Sequence, residues 1–326
     1  MFAKTWAASL AFINRECKQK TGFLPGQKTR MEKERSFKKT RLAPTPSGYL
    51  HLGNVLSFAL TAALARRTGA SILLRIDDMD KTRAGPEYVQ DIFDTLNFLE
   101  IPWDEGPRNY AEFERKFSQL HRLDLYRGAL QQLLDEGKLF ACTCSRTSML
   151  RDSSDGGYPG TCREKRLPFD GEDTSWRLLT EGASLPAELR DFIVRKKDGF
   201  PAYQLASVMD DLHFGVDLVV RGQDLWPSTL AQHFLARQLR QDVFGEIHFY
   251  HHPLLVETAG TKLSKSPGVK LSKSAGSPSI LYMRGQGLKP ADIYSMIARM
   301  TGKDFTAGSW QELAEGLGEE WVLALG

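Results

Sequence analysis

An early segment of the chain alternates between extended and helical patterns, and this alternation constrains the fold more than any other feature. Residues 42–46 are predicted to be extended, because each of the two prolines within them disfavours a helical conformation in the residue before it. A helix is expected to follow, with Asn54 as its N-cap and Gly69 as its C-cap. Residues 71–76 have the apolar pattern of a buried strand. Strand, glycine-containing turn, helix and strand in this order indicate a βαβ unit of the nucleotide-binding type.

Later apolar runs continue the alternation and indicate a parallel sheet that is interrupted by an insertion. Strands are expected at 192–194, 218–220 and 247–250, and helices at 86–99, 113–135 and 229–240. The inner face of the second of these helices is expected to consist of Leu120, Leu123, Leu130, Leu133 and Leu134. After position 274 we expect two or three small helices.

The composition is that of an ordinary globular protein, since 41% of the 326 residues are hydrophobic and 25% are charged. These values exclude disordered, collagen-like and disulfide-stabilised classes, and the length suggests about two domains. No apolar stretch approaches the roughly 20 residues that a membrane-spanning helix needs. The 43 basic and 40 acidic residues nearly balance, so any site for a polyanion must be a local patch.

Residues 1–36 form a basic extension. Residues 1–41 hold 11 basic and 3 acidic side chains, whereas the rest of the chain holds 32 basic and 37 acidic ones. We expect this extension to be a disordered tail, or its first 30 residues to lie upstream of a true start at Met31. In either case we expect a cytoplasmic protein. A basic and acid-poor start is also typical of an organellar targeting segment, and this alternative would place the protein in an organelle.

The turn His51-Leu52-Gly53-Asn54 is a candidate phosphate site. A helix N-terminus presents free N–H groups and the positive end of the helix dipole, and Gly53 lets the backbone approach a ligand closely. His51 can donate a hydrogen bond to phosphate oxygens. Taken alone, the motif is equally compatible with an ordinary turn, a helix cap and a surface histidine.

A lysine- and serine-rich sequence occurs twice, as Lys262-Leu-Ser-Lys-Ser and, eight residues later, as Lys270-Leu-Ser-Lys-Ser. Lysines and serines on a glycine-bounded loop can clamp a polyphosphate and release it again. Alone, the pattern would indicate a polar mobile loop, but the His-x-Gly turn earlier in the chain favours phosphate binding. The spacing from the preceding strand favours Lys265 as the acting lysine, and the downstream context favours Lys273.

Cys142, Cys144 and Cys162 lie in a segment rich in glycine and proline. Four cysteines in the whole chain are too few for a disulfide-stabilised fold of this length, so a reducing compartment and a metal site are favoured. Three thiolates suit a tetrahedral zinc ion, and no histidine in the segment would complete an ordinary Cys/His site. The alternative is a group of buried cysteines without a metal.

These motifs carry a family resemblance. His51–Asn54 resembles the HIGH motif, and Lys262–Ser266 the KMSKS loop, of class I aminoacyl-tRNA synthetases. Longer segments are similar to the glutamyl branch of that family: Arg41–Gly53 (RLAPTPSGYLHLG), Leu74–Asp80 (LRIDDMD), Tyr203–Asp211 (YQLASVMDD) and Val220–Leu225 (VRGQDL). The resemblance implies an α/β fold, with a class I synthetase Rossmann-type parallel sheet, an inserted zinc-binding subdomain and a short C-terminal helical segment.

The resemblance also implies domain boundaries. Residues 37–285 would form the catalytic domain, with an insertion at about 104–190 that contains a zinc knuckle at 140–166. Residues 286–326 would form a C-terminal helical stump. Full-length glutamyl-tRNA synthetases carry a large anticodon-binding region after the KMSKS loop, and we expect that region to be missing here.

A zinc-bearing synthetase without that region resembles the glutamyl-queuosine tRNA(Asp) synthetase family. The resemblance implies a monomer, not associated with a membrane, that activates L-glutamate with ATP and Mg²⁺. It further implies transfer of the glutamyl group to the queuosine base in the anticodon of tRNA(Asp). The alternatives are a conventional glutamyl-tRNA synthetase-like charging enzyme, a catalytically silent tRNA-binding paralogue and, more distantly, a nucleotidyltransferase with a related turn.

The family motifs imply roles for individual residues. His51 and Lys265 would be catalytic. ATP would be bound by His51, Gly53, Asn54, Lys262, Ser264 and Lys265, with Lys273 as the alternative to Lys265. Glutamate would be bound by Arg41, Leu42, Ala43, Pro44, Thr45, Asp77, Tyr203 and Arg221. Structural zinc would be bound by Cys142, Cys144, Tyr158 and Cys162, where the tyrosine is implied by the resemblance alone.

Position 77 departs from the family, which usually has Glu there. Arg221 or Arg41 can pair bidentately with a substrate carboxylate, and Asp77 can hold an α-ammonium group. An aspartate is shorter by one methylene, or about 1.5 Å, so we expect a repacked pocket or a changed amino-acid specificity.

Candidates for contacts with tRNA phosphates are Arg146, Arg151, Arg163, Lys165, Arg166, Arg195, Lys196 and Lys197.

Overall fold

The computed structural model describes residues 36–255, 278–318 and 321. The basic extension, apart from Ser36, and both lysine repeats lie outside the described residues. The strands are β1 (Lys39–Leu42), β2 (Ser71–Leu74), β3 (Leu139–Cys142), β4 (Ser175–Leu178), β5 (Ile193–Arg195), β6 (Leu218–Gly222) and β7 (His248–His252). The α-helices are α1 (Leu52–Thr68), α2 (Pro86–Phe98), α3 (Tyr110–Glu112), α4 (Leu123–Asp135), α5 (Arg146–Asp152), α6 (Tyr203–His213), α7 (Trp226–Gln238), α8 (Ile280–Gly285), α9 (Pro290–Met300) and α10 (Trp310–Leu317).

Strands β2, β1, β6 and β7 form, in that order, a parallel sheet. β1 pairs with β2 over four residues, from Lys39 opposite Ser71 to Leu42 opposite Leu74. The strand order reverses between β1 and β6, because β2 lies on one side of β1 and the later strands lie on the other. In open parallel sheets, ligands bind beyond the carboxyl ends of the strands at such a reversal. The predicted α/β fold with a parallel sheet is confirmed.

Helix α1 forms the crossover from β1 to β2, and its N-cap is His51, whose Nδ1 accepts the Gly53 N–H at 3.2 Å. The prediction of Asn54 as N-cap was wrong. Asn54 is the third helical residue, and its Oδ1 accepts the His51 N–H at 3.0 Å, which closes a capping box. An asparagine suits either position, so the sequence could not separate them. Gly69 ends the helix with a φ of 77°, as predicted.

Strands β3, β4 and β5 form a separate antiparallel sheet, inserted in sequence between β2 and β6. The helix predicted at 113–135 is not continuous. A π-helical turn (Phe113–Phe117) and a 3₁₀ turn (Gln119–Arg122) precede α4, and the chain leaves the helical conformation at Ser118. The Ser118 hydroxyl donates to the buried carboxylate of Asp78 at 2.6 Å, a tertiary contact that helical periodicity does not reveal. Leu120, predicted for the inner face, is therefore 37% exposed.

The described residues contain two large apolar clusters, which receive alternate residues of β6, and a small third cluster around Cys142 and Cys162. Leu218 and Val220 of β6 pack in the cluster that includes α1, α2 and the C-terminal helices. Val219 packs in the cluster that includes α4, α6 and α7. Successive side chains of a strand point to opposite faces, so the parallel sheet carries a helical layer on each face.

A chain of buried ion pairs joins the carboxyl end of β2 to α6. Arg75 donates from Nε and Nη2 to Asp77 at 2.7 and 3.1 Å, and from Nη1 to Asp211 at 2.6 Å. Arg41 of β1 donates to the same Asp211 oxygen at 3.3 Å. Burial alone would lower the pKa of Arg75, but its carboxylate neighbours outweigh burial and raise that pKa well above its usual value. Arg75 therefore stays charged and joins the segment after β2 to α6, and Asp211 extends the connection to Arg41 of β1.

Asp210 extends this network to the segment before α4. Its carboxylate accepts hydrogen bonds from Arg122 at 2.7 and 3.0 Å, from Gln119 at 2.9 Å and from Tyr126 at 2.6 Å. Burial works to raise the pKa of Asp210, but Arg122 and Arg75 outweigh burial and hold that pKa below its usual value. The charged carboxylate thus fixes α6, which begins at the candidate site residue Tyr203, against the helices that lead to the inserted sheet.

Asp210→Asn is expected to lower the free energy of unfolding by about 3–5 kcal/mol, because it leaves Arg122 buried without its carboxylate. Since the folded pKa is depressed, this contribution is present above the pKa of the unfolded chain, about 3.9, and is lost as the pH falls through the folded value. Urea unfolding of both proteins across this pH range should therefore show their stabilities converging in acid. Asp124→Asn, at a side chain that is 97% exposed, is the matched control and should change stability by less than about 0.5 kcal/mol. Equal stability of Asp210→Asn and wild type at neutral pH would contradict the expectation.

Candidate active site

The candidate site residues gather at the carboxyl edge of the parallel sheet. Arg41 lies at the end of β1, Arg221 at the end of β6 and His251 at the end of β7, and Asp77 follows β2. Residues 42–44 continue alongside the segment after β2, because Leu42 O accepts the Arg75 N–H and Pro44 O accepts the Asp77 N–H, both at 2.9 Å. Of the residues predicted to line the pocket, Leu42 and Pro44 are buried, Ala43 is half-buried and Thr45 is exposed.

The His51 turn presents a hydrogen-bond donor at the start of α1. Since Nδ1 accepts the Gly53 N–H, the proton of a neutral His51 imidazole is on Nε2. Burial lowers the pKa of His51, and the charge of Asp224 opposes that shift. A Cβ at position 53 would lie 3.1 Å from Cε1 of His51. A larger residue there would therefore crowd the imidazole, whereas glycine does not.

The described residues on both sides of positions 256–277 contact this part of the molecule. Before the segment, His252 Nε2 shares a hydrogen bond of 2.7 Å with the Ser57 hydroxyl of α1. After it, the Ile280 N–H donates to Leu50 O at 2.7 Å, directly beside His51. Lys262, Ser264, Lys265 and Lys273 belong to the segment itself and lie outside the described residues.

Arg221 is buried, and its hydrogen-bond partners are neutral side chains. Its Nη2 donates to Thr229 and, at 3.0 Å, to Gln232, and its Nε donates to His251 at 3.4 Å. In the described part of the chain, Nη1 has no hydrogen-bond partner. Burial lowers the pKa of Arg221 to about 10, and nearby Tyr203 partly offsets that effect. The side chain is thus a buried cation with one open donor.

Asp77 is also buried, but both of its oxygens accept hydrogen bonds from Arg75. Burial raises the pKa of Asp77, and Arg75 limits the shift. Asp211, which pairs with both Arg75 and Arg41, keeps a buried Oδ2 without a partner among the described residues. Sequence reasoning assigned no role to Arg75, Asp210 or Asp211, although all three lie within the quoted motifs.

Other residues near Arg221 and His51 were missed as well, namely Asp224, Trp226, His251 and His252. Asp224 lies within the segment VRGQDL, but its carboxylate influences the pKa of both His51 and His252 only because the fold brings the ends of β6 and β7 close to the start of α1. The run His251-His252 ends β7, and adjacency to Arg221 follows from the β6–β7 register. In the sequence, the signal that could have pointed to these residues was the pair of adjacent histidines at the end of a strand.

The cysteine cluster lies in the inserted domain, apart in sequence from these residues. The sulfur atoms of Cys142, Cys144 and Cys162 all lie within 4.8 Å of one another, and those of Cys144 and Cys162 are 3.5 Å apart. Tetrahedral zinc with Zn–S bonds of about 2.3 Å holds its sulfurs about 3.8 Å apart, so this spacing is consistent with a zinc site. The Tyr158 hydroxyl lies 3.5 Å from Cys142 Sγ and accepts the Cys162 N–H at 2.8 Å.

Charged side chains surround and order the cluster. Arg177 stacks on the Tyr158 ring, with its guanidinium carbon 3.8 Å from the ring centroid. Arg163, next to a cluster cysteine, donates to the buried Asp191 carboxylate at 2.6 and 3.0 Å. Although burial opposes ionisation, backbone and side-chain hydrogen bonds lower the pKa of Cys162 to about 7. Burial and the neighbouring cysteines raise the pKa of Cys144 to about 11, so a metal ion would have to displace the proton of that thiol.

A known protein family matches most of the chain. Residues 38–165 and 173–305 match the family described as tRNA synthetases class I (E and Q), catalytic domain. The chain belongs to this family. The family assignment agrees with the parallel sheet, the inserted antiparallel sheet and the position of the His51 turn at the start of the crossover helix.

Several curated class I synthetases are similar to the chain. Glutamyl-Q tRNA(Asp) synthetase of Symbiobacterium thermophilum is 35% identical over 289 residues, which are 80% of this chain and 86% of that protein. The protein of the same name from Prochlorococcus marinus (strain MIT 9303) is 35% identical over 82% of this chain and 85% of its own length. Glutamate--tRNA ligase 1 of Syntrophus aciditrophicus is 31% identical over 80% of this chain but only 56% of its own length.

A solved class I synthetase shares the fold. The glutamate-tRNA synthetase of Elizabethkingia anophelis superposes with a TM-score of 0.64 and 21% sequence identity. The match covers 86% of this chain and 65% of that one, so the chain spans just under two thirds of the solved protein. Among the described residues, no helix has the length and hydrophobicity that crossing a membrane requires.

Proposed function

We propose that this class I synthetase activates L-glutamate with ATP and transfers the glutamyl group to the queuosine base in the anticodon of tRNA(Asp). The observation that carries the activation step is the buried guanidinium of Arg221, with its open Nη1, at the carboxyl edge of the sheet. The acceptor is proposed from the two relatives named Glutamyl-Q tRNA(Asp) synthetase, most of whose length this chain spans.

Glutamate would place its side-chain carboxylate against Arg221. A buried cation among neutral acceptors is costly until an anion reaches its open side, so the site favours a ligand with a carboxylate. Tyr203 borders the same guanidinium and would close the pocket. The α-ammonium group would lie toward Asp77, and Asp211 adds a buried oxygen that accepts no hydrogen bond in the described structure. Arg41, Leu42, Ala43, Pro44 and Thr45 would line the remaining wall.

ATP, with Mg²⁺, would place its phosphates at the N-terminus of α1. The free N–H groups there, shaped by Gly53 and Asn54, and the Nε2–H of His51 suit phosphate oxygens. Lys262, Ser264 and Lys265, or Lys273 in place of Lys265, would approach from the segment whose described flanks contact the same turn.

The chemical step needs little covalent help from the protein. An oxygen of the glutamate α-carboxylate attacks the α-phosphorus of ATP, the bond from that phosphorus to the bridging oxygen breaks, and pyrophosphate leaves. Positioning and neutralisation of the developing charge by His51 and Lys265 would supply most of the acceleration. A hydroxyl of the queuosine base then attacks the activated carbonyl carbon, loses its proton and displaces AMP.

The inserted domain would contact the tRNA. Of the candidate basic residues there, Arg151, Arg163, Lys196 and Lys197 form ion pairs with neighbouring carboxylates. Lys165 and Arg166 are exposed beside the cysteine cluster and are the better candidates for phosphate contacts. Zinc, bound by Cys142, Cys144, Cys162 and Tyr158, would hold this loop in a fixed shape and take no part in the reaction.

Arg221→Leu is expected to reduce glutamate-dependent ATP–pyrophosphate exchange by about 100-fold or more, mainly through a higher KM for glutamate, because it removes a charge-assisted carboxylate contact. Exchange is measured with glutamate, aspartate and glutamine in turn, since the shorter side chain at position 77 bears on specificity. Arg127→Leu, at an exposed position on α4, is the control and should leave exchange unchanged. Exchange with no amino acid in the wild type would favour a silent tRNA-binding paralogue.

Transfer is tested with labelled glutamate and tRNA(Asp) with or without queuosine. We expect labelling that requires queuosine and survives periodate oxidation of the 3′ end, because the acceptor is a base in the anticodon. Equal labelling of queuosine-free tRNA, abolished by periodate, would instead indicate a charging enzyme. The 31% identity to glutamate–tRNA ligase 1 of Syntrophus aciditrophicus makes that outcome the second candidate.

Cys142→Ser is expected to reduce bound zinc from about one ion per chain to well below half, and to lower thermal stability, because a structural zinc site contributes folding free energy. Zinc is measured by atomic emission on protein purified without chelators. Ser153→Ala, in the same loop but outside the cluster, is the control. Wild-type protein without zinc after purification in zinc-supplemented buffer would contradict the assignment.

A further inference from the structure

Trp226 begins α7, next to His251 of the candidate site. Its side chain is 41% exposed, whereas the other described tryptophans are buried or half-buried. The indole meets the His251 imidazole edge to face, with ring centroids 5.0 Å apart and ring planes at 80°. A single exposed apolar side chain needs no explanation by itself, but this one packs on a neighbour of the buried Arg221 cation.

His251 connects Trp226 to the buried cation. Its Nε2 accepts a hydrogen bond from Arg221 at 3.4 Å and shares one of 2.7 Å with the Thr229 hydroxyl. Burial, together with Arg221 and His252, lowers the pKa of His251 to about 4, so the imidazole is neutral near pH 7. The His251 ring therefore lies between the Trp226 indole and the Arg221 guanidinium.

Tyr203 borders the same guanidinium and is 44% exposed. Two exposed aromatic side chains thus lie near Arg221, which is itself buried. Proteins that bind unpaired nucleotides combine stacking on aromatic rings with a nearby positive charge. Tyr203 is already assigned to the amino-acid pocket, which leaves Trp226 as the ring without a function.

We propose that Trp226 is the stacking platform for the nucleobase that accepts the glutamyl group. This inference rests on the proposed function, since it presumes that glutamate, held at Arg221 by its side-chain carboxylate, is activated at its α-carboxyl group and then passes to an RNA base. The attacking hydroxyl must reach the activated carbonyl carbon, so the base that bears it comes to rest at the rim of that pocket. An indole at the rim offers its face to such a base and fixes the distance of approach.

The adenine of ATP is the competing occupant. The nucleotide is proposed to lie at the His51 turn, whose contacts lead to Ser57 and His252. The contacts of Trp226 lead instead through His251 to Arg221, on the amino-acid side of the site. The geometry therefore favours the acceptor base over adenine.

The test measures two reactions of the full-length chain: glutamate-dependent ATP–pyrophosphate exchange, and transfer of labelled glutamate to an anticodon stem-loop RNA that bears queuosine. Trp226→Ala is expected to raise the KM for the RNA by about tenfold or more, which is the usual range for loss of one base–aromatic stack. The effect should be confined to transfer. Trp226→Phe should restore most of the affinity, and Trp226→Leu, which is apolar but not aromatic, should not.

Val243→Ala is the matched control, because Val243 is 65% exposed on the turn before β7, at the opposite edge of the sheet. An equal rise in the KM for ATP would assign the indole to adenine and overturn the proposal. A wild-type KM for RNA in Trp226→Leu would overturn it as well.

Failure of the proposed function is visible separately, in the wild type. If wild-type protein labels only queuosine-free tRNA, the acceptor assignment is wrong, and the ratio of variant to wild-type KM with that tRNA decides the role of Trp226. If it labels no RNA, filter binding of the stem-loop RNA tests the role of Trp226 instead. Equal affinity of wild type and Trp226→Ala for that RNA would overturn the proposed stacking role.

Discussion

Arg75 lies fully buried between Asp77 and Asp211, and the arrangement of the candidate site depends on these ion pairs. The pairs join the end of β2 to α6, and through Arg41 they reach the end of β1. Asp210 carries the connection on to Arg122 and the helices before the insertion. Breaking one member of such a buried group leaves an uncompensated charge, which is far more costly than losing a surface pair. The network therefore sets the relative positions of the segments that line the pocket.

Two buried arginines of the candidate site differ in how their charge is compensated. Carboxylate neighbours raise the pKa of Arg75 above its usual value, so its charge is fully compensated inside the protein. The pKa of Arg221 is lowered to about 10, because its neighbours are mostly neutral and burial dominates. The same side chain thus occurs in two environments: Arg75 is fully paired within the protein, whereas Arg221 keeps a donor without a partner among the described residues, which is the basis for proposing it as the anion site. Exposed Tyr203 borders the second arginine, and exposed Trp226 packs on His251, which accepts a hydrogen bond from that arginine.

Local sequence signals were sufficient where one segment decides the structure. The βαβ unit, the glycine that ends α1, the interrupting insertion and the cysteine cluster all follow from short-range patterns. The errors arose where a distant group intervenes. The helix predicted at 113–135 breaks at Ser118 because its hydroxyl donates to Asp78, and Leu120 is turned to solvent as a result. Asn54 lies inside α1 and accepts a hydrogen bond from the N-cap residue His51. An asparagine is allowed at either position, and the conformation of the preceding turn decides between them.

By itself, the sequence determined the fold class and a short set of residues able to bind phosphate, carboxylate and metal, because periodicity, turn chemistry and ligand type are local properties. The tertiary structure alone decided how these residues are partnered. Asp77 is held by Arg75, Arg41 is shared with Asp211, and Arg221 keeps an open donor beside His251 and Trp226. Partnering depends on strand order and register, which bring residues more than 100 positions apart into contact. No local pattern contains that information, because it arises from the way the sheet and its helices pack together.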